Sequence, residues 1–120
     1  MADFADLDDM NFDLLLPWRG REWLVVEPTA RESERLRTLV FTDEMHGTAE
    51  VYEYRKLLGQ TWNDLIDAGI GWSQLMHFAR AAMIWFTTTP EAAQHYWHLG
   101  KLVTLVDLDM LDTVTAKVSA

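Results

Sequence analysis

Glycine and proline do most to limit what this chain can fold into. Its three prolines and six glycines fall where one local pattern stops and another begins, so each interval holds a single short element. The first interval pairs two runs of strand character, Asn11-Phe12-Asp13-Leu14-Leu15-Leu16 and Glu22-Trp23-Leu24-Val25-Val26. Pro17-Trp18-Arg19-Gly20-Arg21 supplies turn residues between them, with Gly20 free to take a positive φ. This predicts a β-hairpin over 12–26. Two strands alone are marginal in water, so one face of the hairpin must lie on the rest of the chain.

After Pro28 the period changes to that of helices. Thr29 and Glu32 have the Thr-x-x-Glu spacing of a capping box, opening a helix to about Val40 that buries Leu36, Leu39 and Val40. Phe41 to Gly47 reads as a loop. Thr48 caps a second helix with Val51, Tyr54 and Leu58 on one stripe, stopped by Gly59. Thr61 with Asp64 opens a third, carrying Trp62, Leu65 and Ile66 and closed by Gly69 and Gly71. Ser73 begins a fourth, to about Phe86, with Leu75, Ala79, Ala82, Met83 and Phe86 facing inward. Thr89-Pro90-Glu91 is a cap, a first-position proline and a first-turn acid; the fifth helix presents Ala93, Tyr96 and Trp97 and ends at Gly100. The expected fold is mainly α with an N-terminal β-hairpin and about five short helices. It divides into an acidic arm (1–11), one domain (12–100: the hairpin at 12–26, helices over 29–100) and a C-terminal tail (101–120). The tail reads equally as an added strand, a fraying helix or a loose end.

Composition narrows the function. The chain has 120 residues, 49% of them hydrophobic, enough for one core without staples. It contains no cysteine, which excludes a disulfide framework and thiolate chemistry. The net charge is −9, a poor match to phosphate backbones and to anionic membrane surfaces. No apolar run approaches the ~20 residues a bilayer demands, and the first eighteen residues carry aspartates where a signal peptide would be basic. These features predict a soluble intracellular domain with no nucleic-acid or membrane partner.

Candidate chemistry is thin. His95-x-x-His98 could be half of a metal site, but no second ligand pair accompanies it. Ser73 and His77 are one turn apart, yet Ser73 suits a helix cap and no oxyanion-hole motif is present. No catalytic, metal or cofactor residues are therefore assigned. The six tryptophans say more. One small core struggles to hide six indoles, and an indole suits a boundary between a dry and a wet side. One to three of them are expected to reach the surface, and Trp72, Trp85 and Trp97, which fall beside the core stripes, are the candidates. With Tyr96, and with Phe4 and Leu7 of the arm, they form the candidate partner-binding set.

Read in order, the chain has Asp6-Leu7-Asp8 after Phe4, then Leu14-Leu15-Leu16-Pro17 through Gly20, Trp23, Val26 and Pro28, then Leu36 and Leu39. It continues with Leu58-Gly59-x-x-Trp62, Asp67-x-Gly69, Trp72, the Ala81–Phe86 helix and Tyr96-Trp97-x-x-Gly100. This succession resembles the tail assembly chaperones encoded by long-tailed phages of actinobacteria, counterparts of the lambda-type G protein. Arg19-Gly20 stands where that family has a glycine pair. The resemblance implies a non-enzymatic, mostly helical chaperone without cofactors, acting in the host cell cytoplasm and absent from the mature virion. Its implied partners are the tape measure protein, the tail tube protein and a longer, frameshifted form of itself, with self-association left open. Two other readings compete: an acidic inhibitor or mimic that occupies a basic host protein, and a structural head–tail or tail component.

Overall fold

A computed structural model describes residues 3–105, with side chains described as far as Leu99. A single 3-10 turn, Leu7–Asp9, precedes the strands β1 (Leu14–Trp18) and β2 (Arg21–Val25). Helices α1 (Ala30–Phe41), α2 (Gly47–Leu58), α3 (Gln60–Asp67), α4 (Trp72–Thr87) and α5 (Pro90–Leu105) follow. The mainly α fold with an N-terminal hairpin and five helices is as the sequence predicts.

The hairpin is tighter than expected. Its turn is Arg19-Gly20 alone, both with positive φ (52° and 73°), so Pro17 and Trp18 belong to β1. A two-residue turn with both central residues left-handed matches the right-handed twist of the strands. The register pairs Trp18 with Arg21, Leu16 with Trp23 and Leu14 with Val25; Pro17–Glu22 and Leu15–Leu24 alternate with them. Counting outward from the turn, those last two are the positions whose backbone groups point away from the partner strand. Pro17 therefore forfeits no ladder hydrogen bond, which is how a proline fits inside a strand. The Asp13 carboxylate closes the open end by accepting from the Glu27 N–H at 2.7 Å.

Side-chain alternation gives the hairpin two unlike faces. Leu14, Leu16, Trp23 and Val25 are buried, whereas Leu15 and Leu24 are exposed. The Trp23 indole N–H donates to the Trp18 carbonyl at 3.0 Å, which satisfies a polar atom that burial would otherwise strand.

Helix α4 is the centre of the molecule, packing on α1, α2, α5 and β1. Leu75, Met76, Phe78, Ala79, Ala82 and Met83 are buried along it, and its alanines let neighbouring backbones come close. Glu53 of α2 is buried too, held by the Arg35 guanidinium of α1 through two bonds of 2.6 and 2.9 Å. Helix α3 bridges α2 and β2.

Two of the expected caps hold: Thr29 accepts from the Glu32 N–H (3.2 Å) and Thr89 from the Ala92 N–H (3.1 Å). Three others are corrected. Helix α2 starts at Gly47 after His46, which puts Thr48 inside the first turn. Helix α3 starts after Gly59, and the Thr61 hydroxyl instead donates to the Leu24 carbonyl, fastening α3 to β2. Helix α4 starts after Gly71, whose N–H donates to the Gln74 side chain at 3.1 Å, so Ser73 is no cap. Gly100 does not end α5, which runs on to Leu105; one helical glycine costs only about 1 kcal/mol. Of the apolar residues that α3 carries, Trp62 and Leu65 are buried and Ile66 is 48% exposed. Phe86, Leu39 and Val40, expected inside, are half-buried at the core's margin. The question of strand, helix or loose end for residues 106–120 lies outside the described residues.

Candidate functional site

The predicted partner-binding residues do not converge on one point. Trp72 opens α4 and is 58% exposed, its ring edge-on to the buried Trp62 at 6.3 Å. Trp85 lies thirteen residues further along the same helix, roughly 20 Å away at the helical rise. Phe4 and Leu7 are exposed on the arm. Tyr96 is half-buried and stacks on the His77 ring (centroids 4.6 Å apart), while the His77 Nε2–H donates to the Trp97 carbonyl at 3.0 Å. Tyr96 thus belongs to the seam that joins α5 to α4.

Trp85 and Trp97 do come together. They line a groove of about 450 Å³ running along β1 from Asp13 to Pro17, walled on the far side by Ala81 and Trp85 of α4 and by Ala93, Gln94, Trp97 and His98 of α5. The sequence explains its shape. Ala81 and Ala93 are too small to fill the space between β1 and the two helices, and both tryptophans are half-buried beside it. The groove has an apolar interior, with His98, Gln94 and Asp13 as its polar members.

Asp13 also lines a second, shallower depression formed by Leu7, Met10 and Phe12 with Asp8 and Glu27. Leu7, Met10 and Phe12 are all exposed, and this mixed polar and apolar depression meets the groove at the Asp13 carboxylate. The Asp6 side chain accepts from the Asp8 N–H (2.8 Å) and holds the arm's one turn. At the opposite end of β1 the charge reverses: the Arg19 guanidinium lies 4.4 Å from the Trp18 ring centre and donates to the Ala68 carbonyl at 2.7 Å.

Sequence reading missed Leu15, Leu24 and the Met10–Phe12 stretch as surface residues. The signal was present in the strands: once Leu14, Leu16, Trp23 and Val25 face inward, a period of two puts Leu15 and Leu24 outside. His95 and His98 are both exposed, and among the described residues no three His, Cys, Asp or Glu side chains are placed to hold a metal ion. No described helix is long and apolar enough to cross a membrane.

The strongest perturbation of charge is structural. Hydrogen bonds from Arg35 hold the Glu32 and Glu53 carboxyls below the ordinary glutamate range, and those carboxylates in turn raise the guanidinium. Burial pushes the Tyr54 phenol up. This cluster ties α1 to α2 and lies outside the groove.

No curated protein matches the chain, and no solved structure does. A family model described as "Domain of unknown function (DUF7426)" matches residues 5–109. That match takes in the acidic turn, the hairpin and all five helices, and the chain belongs to this family.

Proposed function

We propose that this protein is a phage tail assembly chaperone that binds apolar segments of the tape measure protein and keeps them soluble until tail tube subunits enclose them. The observation that carries the reading is the open apolar groove flanked by Trp85 and Trp97, which meets at Asp13 a depression with exposed Leu7, Met10 and Phe12. Contiguous apolar surface of this kind on a small domain marks a protein-binding site. A half-buried indole is a favourable anchor, because much of its area is already fixed and the remainder is available to a partner. The ordered likeness to tail assembly chaperones, from Asp6-Leu7-Asp8 to Tyr96-Trp97-x-x-Gly100, supplies the identity of that partner. The net charge of −9 suits the role by keeping a coated, apolar client in solution.

An acidic mimic of nucleic acid is less well supported. Such a protein needs carboxylates spread over one face, whereas Asp3, Asp6, Asp8, Asp9 and Asp13 concentrate in the first residues of the sequence and Glu32, Glu50 and Glu53 are held in ion pairs with Arg35 and Arg80. Acting as a chaperone, the protein works in the host cytoplasm, is joined there by its longer frameshifted form, and leaves before the virion is finished.

Co-expression tests the assignment. The tape measure protein encoded in the same genome should move from the pellet to the soluble fraction when this chain is present, and Trp85→Ala with Trp97→Ala should reverse most of that gain. A soluble fraction no larger than with empty vector would overturn it. Mass spectrometry of purified particles separates the chaperone from a structural tail component, because a chaperone is missing from them.

A further inference from the structure

We infer that the groove takes its partner as an extended strand, added to the edge of β1 that no strand among the described residues pairs, and that this strand carries lysine or arginine at the end that meets Asp13. The inference rests on the groove being the partner site and specifies what form of chain enters it.

The edge argues for the extended form. Leu15 sits at a register position whose N–H and carbonyl point away from β2, and Leu15 and Pro17 both line the groove. The matching edge of β2 is already occupied, since the Leu24 carbonyl accepts from Thr61. A helix laid in the groove would satisfy its own backbone and cover the Leu15 amide without pairing it, and a covered, unpaired backbone group is costly. An extended segment pairs with that amide, and alternate side chains then enter the space between Ala81, Trp85 and Trp97. Pro17 offers no N–H, so pairing centres on Leu15 and stops toward the turn.

The sign of the partner follows from charge complementarity. Asp13 marks the end of the groove that joins the arm, where Asp8 and Glu27 line the adjoining depression, and Asp6 and Asp9 are close in sequence. The arginines of the hairpin, Arg19 and Arg21, are at the other end and lie over the Trp18 and Trp23 rings. A segment with a basic residue beside Asp13 is attracted, and an acidic one is repelled.

The test uses the full chain labelled with nitrogen-15 and a blocked peptide, Lys-Lys-Val-Thr-Val-Thr-Val-Lys-Lys. Saturable shifts at Leu15 and at the Trp85 and Trp97 indoles are expected, with binding at least tenfold weaker for the twin that has glutamates in place of lysines. Two further twins, N-methylated at odd or at even residues of the Val-Thr core, read the backbone directly. One should lose at least tenfold in affinity and the other little. Leu15→Pro should weaken the unmodified peptide at least tenfold without moving the thermal midpoint, as Pro17 is already tolerated two residues on. Equal binding of both methylated twins, or tighter binding of an amphipathic helical peptide with the same charge, would overturn the inference. So would a tenfold gain in peptide affinity for the Leu108→Asp, Met110→Asp chain, which would assign the groove to the chain's own C-terminal residues. Groove shifts that follow protein concentration alone would assign it to a second copy. Tape measure solubilisation that survives Leu15→Pro would leave the chaperone reading standing and reject only the strand geometry.

Discussion

Arg35 shows how one side chain can hold two helices. Its guanidinium reaches both oxygens of Glu53 on α2 and both of Glu32 on its own helix, at 2.6–3.1 Å. Glu53 is buried and Arg35 is partly exposed, so losing the cation strands a carboxylate that water reaches poorly. Arg35→Met is expected to destabilise the domain by about 2 kcal/mol, below the range for a fully buried pair because solvent screens part of the interaction. Adding Glu53→Leu should restore most of that loss, which chemical denaturation of the single and double variants measures. The same contacts set an acid limb. Both carboxyls titrate below the 4.5 of an ordinary glutamate, so the stability they lend is complete above that value. It disappears as pH falls through their lower folded-state values. Thermal midpoints should therefore decline below about pH 4.5 in the wild-type chain, and that limb should be shallower in Arg35→Met.

At the scale of elements, the junction between α2 and α3 depends on backbone shape. Gly59 has φ 57° and ψ −131°, a combination that side-chain-bearing residues scarcely adopt, and it ends one helix and begins the next without a loop. A Cβ there would meet no atom within 4 Å. The cost of Gly59→Ala is therefore conformational, about 2 kcal/mol, with Trp62 and Leu58 displaced from the core. Urea unfolding should show it as a lower midpoint at unchanged slope. Which elements form was legible in the sequence for the same kind of reason: punctuation and period are local properties, so the hairpin, five helices and the Thr29 and Thr89 caps could all be read. Their relations were not. Thr61 reads as a cap from its neighbours, yet its hydroxyl serves β2, 37 residues away in sequence. Leu15 sits in the apolar triplet Leu14-Leu15-Leu16, and the register shows which of the three turns outward. The groove was half legible: Trp85 and Trp97 stood off the core stripes, but nothing local says that β1 lies opposite them.

For the whole molecule the open matter is what a net charge of −9 does beyond solubility. If the excess carboxylates served solubility alone, the rate of partner binding would not depend on them. The distribution argues otherwise, because carboxylates gather along the arm and around Asp13, the residue that the depression and the groove share. Charges placed there steer a basic segment toward its apolar seat before any contact forms. Such steering is screened within roughly 10 Å at 0.1 M salt and within about 3 Å at 1 M. If the tape measure protein is the partner, as proposed, its association followed by stopped-flow tryptophan fluorescence should slow about tenfold between 0.02 and 0.5 M salt, values chosen to span that screening range. Dissociation should change little if the proposed apolar contacts around Trp85 and Trp97 hold the complex, because salt does not weaken them. An association rate indifferent to salt would confine the charge to solubility and leave the aromatic groove as the whole of the recognition.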